Sequence, residues 1–130
     1  MALSEALLPE FDQEMANTRR TLERVPDGKF DWKPHAKSPT MGWLATHIAT
    51  LPGWVLYTLE QDSIDLDPPG GAPPPQPEAK SRAELLEKFD RSVSQARAAI
   101  AGASDQRMLE SWSLLKRGQN LLTLPRAAVL

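Results

Sequence analysis

The chain has 130 residues, 41% of them hydrophobic and 25% charged, with a formal net charge of -2. That length suits one domain with a real core, and the weakly acidic balance lacks the basic footprint of nucleic-acid binders. Cysteine is absent, which excludes disulfides, zinc ribbons and thiol nucleophiles.

Residues Met1 to Leu8 already contain Glu5 and run into Pro9-Glu10, unlike a secretory leader. Leu7, Leu8, Phe11, Met15, Leu22 and Val25 then fall on one helical face, with acids and arginines on the other. This predicts a helix from about Pro9 to Arg24, with room for a short turn before it, stopped at Val25-Pro26. Arg19-Arg20 beside Glu23 reads as a solvated face of that helix.

The segment PDGKFDWKPHAKSP is rich in turn formers and reads as a loop, with Phe30 and Trp32 tucked back onto the protein and His35 in solvent. A second helix is expected from Thr40, a good N-cap, to Leu59. Leu44, His47, Ile48, Leu51 and Val55 form its expected inward stripe, and Pro52 should kink it. His47, Thr50 and Pro52 interrupt this apolar run, which falls short of a membrane span. A cytoplasmic protein is expected.

Six of the twelve prolines lie between Pro68 and Pro77, after the acids Glu60, Asp62, Asp65 and Asp67. Such a tract reads as a polyproline-like crossover over the surface. Pro73-Pro74-Pro75 could instead serve as a ligand for a proline-recognition domain. Ser81 and Glu84 match a capping box opening a helix to about Ala101, with Leu85, Leu86, Phe89, Val93, Ala96 and Ile100 on its buried face. Gly102 ends it. Ser111–Leu115 and Gln119–Thr123 flank Lys116-Arg117-Gly118, a plausible short hairpin. Thr123 and Pro125 then look like the start of a further helix, expected to be cut short at Leu130.

The run ALLPEFDQEMANTRRTLERVPDGKFDWKPHAKSPTMGWLATHIATLPGW, then SRAELLEKFDRSV, then WSLL with the tail LPRAAVL, resembles the DinB-like (DinB/YfiT-like) metalloenzymes over nearly the whole chain. The resemblance implies an all-α fold: an up-down four-helix bundle with a long crossover between helices 2 and 3 and a short hairpin before a truncated helix 4. It also implies a divalent metal, zinc or nickel, bound by three histidines, one on the second helix and two on the fourth. His47 matches the first of these. The other two have no counterpart. A catalytic zinc centre needs about three protein ligands, and the helical neighbours of His47 are Trp43, Leu44, Thr50 and Leu51. A carboxylate such as Glu14 could approach from the first helix, although its spacing gives no sign of it.

Two functional readings follow. The resemblance implies a metal-dependent enzyme, a thiol-dependent transferase or an isomerase, acting on a small molecule of unknown identity with His47 as a metal ligand. The alternative is a non-catalytic helical protein, or a remnant, that covers an open apolar groove by forming a homodimer. No nucleic-acid or membrane partner is expected.

Overall fold

The computed structural model describes residues 1–74 and 76–130. Three helical arms form its frame. The first is α1 (Leu3–Leu22). The second is α2 (Met41–Thr50), continued through a 3-10 turn (Leu51–Gly53) into α3 (Trp54–Glu60). The third is α4 (Arg82–Gly102).

Helix α1 begins well before Pro9, which lies inside it. The Ala2 N–H donates to the Glu5 carboxylate (3.1 Å) and the Leu3 N–H to Asp105 Oδ1 (2.8 Å). These bonds satisfy free amides at the helix start, so the start moves upstream of the proline. Thr40 caps α2 as expected, its hydroxyl accepting the Trp43 N–H at 3.0 Å. Pro52 breaks the expected single helix into α2 and α3. Ser81 caps α4 by accepting the Glu84 N–H (3.1 Å), while the Glu84 carboxylate takes the Lys80 N–H (3.0 Å).

The fold is not all-α. A three-stranded mixed sheet in the order β1-β2-β3 stands beside the helices. Strands β2 (Ser111–Lys116) and β3 (Gln119–Pro125) make the expected antiparallel hairpin. Arg117 and Gly118 both have positive φ, 51° and 77°, as a right-twisted two-residue hairpin turn requires. Strand β1 (Ser63–Asp65), within the stretch read as crossover, pairs parallel with β2. Its three residues, with Ile64 alone apolar, are too few for alternation to mark a strand. Long-range bonds hold it instead: Ser113 N–H to Asp62 O at 3.1 Å and Leu66 N–H to Leu115 O at 2.8 Å. The Asp65 carboxylate also caps the hairpin turn, accepting the amides of Arg117 (3.0 Å) and Gly118 (2.9 Å).

A short α5 (Asp105–Leu109), capped by Ser104, precedes the sheet. After β3, α6 (Arg126–Val129) is a single turn, where the four-helix expectation placed its fourth helix. The expected proline motif includes Pro75, which lies outside the described residues.

The inward stripe of α2 also needs correction. Its buried residues are Gly42, Ala45, Thr46 and Ala49, whereas His47 is exposed and Leu44 and Leu51 remain 49% and 43% accessible. Small residues let α2 approach its neighbours closely. A Cβ on Gly42 would lie 3.0 Å from Phe30 O and 3.1 Å from Phe30 Cδ2. Leu22, Phe30, Ala45, Ala49, Ala79, Leu85 and Phe89 form one core cluster, and Leu59, Ile100 and Met108 form a second. Trp32 is exposed rather than tucked in.

Candidate functional site

His47 sits on the last turn of α2 with its imidazole stacked on the Trp43 indole, ring centres 5.1 Å apart and planes 11° from parallel. The i, i+4 spacing puts both rings on one helix face. They open onto a cavity of about 210 Å³, whose wall is completed by Thr46, Thr50, Trp54, Gln76 and Glu78.

Gln76 and Glu78 arrive on the strap formed by the end of the proline tract and the residues just after it. Two bonds position it. The Thr46 hydroxyl accepts the Ala79 N–H at 2.9 Å, a buried contact, and Ala79 itself is fully buried in the core. The Thr40 hydroxyl, while capping α2, donates to both carboxylate oxygens of Glu78 at 3.3 and 3.4 Å. The sequence offered no signal for these partners of His47, because the strap residues become neighbours only through the fold. Thr46 carries the side-chain bond, yet a threonine before a histidine has no distinguishing pattern.

The arrangement provides one imidazole, one carboxylate, an amide and two hydroxyls around a small open space. Among the described residues, no three His, Cys, Asp or Glu side chains come close enough to hold a metal ion. A three-ligand metal centre therefore does not fit the residues present. His35 gives no help: it lies exposed in its loop, with Nδ1 accepting the Lys37 N–H at 3.1 Å. Glu14 does not line the His47 cavity.

Two further openings border this one. A polar cleft of about 370 Å³ between α3 and α4 shares Thr50, Trp54 and Gln76 with it. On the other side, an apolar groove of about 410 Å³ runs between α1 and α2–α3, lined by Phe11, Met15, Ile48, Leu51 and Val55 and closed at one end by Ile100, Trp112, Val129 and Leu130. No charged side chain lines the groove. The buried Trp112 indole N–H has no hydrogen-bond partner among the described residues.

The family model of the DinB superfamily matches residues 10–129. The chain belongs to the DinB superfamily. No curated protein and no solved structure gave a match. His47 thus stands in a DinB-superfamily chain at an open cavity, with a single imidazole where the sequence resemblance implied a three-histidine centre. No helix among the described residues is long and apolar enough to cross a membrane.

Proposed function

We propose that this DinB-superfamily protein works in association, its apolar groove covered by a second copy of the chain. The groove carries the reading: Leu51 stays 43% exposed beside Phe11, Met15 and Val55. A continuous apolar surface of this kind favours burial against another surface. Its lining has no charge to recognise an ionic partner, and a two-fold contact covers the same patch on both copies at once. A cytoplasmic location is part of this reading.

Sedimentation velocity over a range of concentrations tests it. The protein should shift from monomer to dimer as concentration rises, and Leu51→Asp should remain monomeric with its helical circular dichroism intact. A compact monomer at the highest concentrations overturns the proposal.

A second reading keeps the metal-dependent transferase or isomerase. It rests on superfamily membership and on the position of an exposed His47 at a cavity with Glu78. Zinc or nickel would then need donors from solvent or a second copy, since no three His, Cys, Asp or Glu side chains converge among the described residues. Calorimetric titration with Zn²⁺ and Ni²⁺ tests it: binding lost in His47→Ala supports the ligand role, and equal heats for both proteins remove it.

A further inference from the structure

The cleft between α3 and α4 is built unlike a helix–helix contact. Lys88, Arg91, Ser92 and Gln95 follow one another at i, i+3, i+4 and i+7 along α4, so they form a single stripe. They face Trp54 and Tyr57 of α3 across about 370 Å³ of open space. Packed helices fill such a space with interdigitating apolar side chains. Here hydrophilic groups line the α4 wall, and Trp54 and Tyr57 stand beside Leu56, Glu60 and Gln61 on the other, a mixture found where small ligands bind.

The charge is uneven. Two cations, Lys88 and Arg91, oppose one carboxylate, Glu60. Arg91 is bridged to Glu87 at 3.2 Å. Lys88 is half-buried and enters none of the ion pairs among the described residues. A partly desolvated ammonium without a counter-ion attracts an anion from solution.

We infer that this cleft binds a small molecule with a planar aromatic body and one anionic group, carboxylate or phosphate, the anion on Lys88 and the body against Trp54 and Tyr57. Ser92 and Gln95 supply hydrogen bonds beside the anion. Trp54 lies on the walls of both this cleft and the His47 cavity, so the far end of the ligand reaches toward His47. The cations that carry the inference, Lys88 and Arg91, do not line the apolar groove, although Trp54 borders both openings.

Titration of the full chain with 1-naphthyl phosphate, 1-naphthoate and the neutral 1-naphthalenemethanol, followed by amide and indole NMR shifts, tests it. Saturable shifts at Trp54, Ser92 and Gln95 are expected with one or both anions, and the stronger of the two identifies the anionic group. Lys88→Gln should weaken binding about fivefold, the scale of one exposed ion pair, and Lys88→Glu should weaken it further. Lys33→Glu, in the distant loop, should leave it unchanged. Unchanged affinity in both Lys88 variants overturns the inference. So does equal binding of the neutral alcohol, shifts centred on Leu51 and Trp112, or no saturation by either anion in the millimolar range. Melting curves of the variants verify that they are folded, and Leu51→Asp, which addresses association alone, should bind like the parent.

Discussion

Arg126 donates its Nε–H to the carbonyl oxygen of Thr58 across 2.8 Å, joining the first residue of α6 to the last turn of α3. The guanidinium is 0% exposed. Its Nη1 donates to the carbonyls of Glu110 (3.2 Å) and Ser111 (3.0 Å), and its Nη2 to Gln61 O (2.9 Å) and Asp62 Oδ1 (2.8 Å). One side chain thus gathers the free carbonyls at the end of α3 and the start of β2, where a cation is favoured by the helix dipole. Arg107 adds a bond to Leu59 O at 2.9 Å.

Arg126→Ala should therefore cost about 3–5 kcal/mol, because it strands several backbone acceptors at once and empties a fully buried side-chain site; Asp62, with its side chain 87% exposed, stays solvated. Arg126→Lys should restore only a minor part, since an ammonium cannot reproduce the planar fork. Urea unfolding of both variants measures this, and a loss below about 1 kcal/mol in the alanine variant would show that the hub is dispensable.

Thr46→Val keeps the shape of the side chain but removes the acceptor for the buried Ala79 N–H. The expected cost is about 1–3 kcal/mol, together with faster amide exchange at Ala79. The strap carrying Gln76 and Glu78 should loosen over His47. Exchange at Ala79 as slow as in the parent would exclude this role.

Gly42→Ala places a methyl 3.0 Å from Phe30 O and 3.3 Å from Glu78 Oε2. Overpacking of this kind costs about 1–3 kcal/mol, against a helix-propensity gain of about 1 kcal/mol. A net loss of stability is expected, with Glu78 displaced from the cavity. A higher melting temperature would mean that the loop around Phe30 yields freely.

Three carboxylates titrate below their usual range. Asp12 is held low by its bond to Arg97, Asp90 by its bond to Arg19, and Asp65 by the Asp67 N–H and then the turn amides of Gly118 and Arg117. Each binds its proton less readily folded than unfolded. Their stabilisation is complete above the unfolded value of about 3.9 and is lost as pH falls through the lower folded values. Urea midpoints should fall on acidification to about pH 3, and Asp12→Asn with Asp90→Asn should fall less steeply. Parallel curves for parent and double variant would remove these pairs as the cause.

Much of the helical frame was legible in local signals. Thr40 and Ser81 cap the helices they were expected to cap, Pro52 interrupts its helix, and the Arg117-Gly118 turn closes the hairpin. Each depends on chemistry within a few residues: a side-chain acceptor near free amides, a missing N–H, a positive φ. His47 was reached through a resemblance to a family, and the family itself is shown.

The sequence by itself determined where α2 and α4 start, where the second arm breaks, where the hairpin turns and which superfamily the chain belongs to, but not the start of α1. The tertiary structure alone decided which face of α2 is buried, because that helix is apolar on several sides and periodicity could not choose between Leu44 and Leu51 on one side and Gly42, Ala45 and Ala49 on another. Close packing against Phe30 chose the small residues. It alone paired β1 with β2 and brought Glu78 to the cavity of His47. Those are contacts between distant segments, whose formation depends on surfaces that exist only once the rest of the chain has folded.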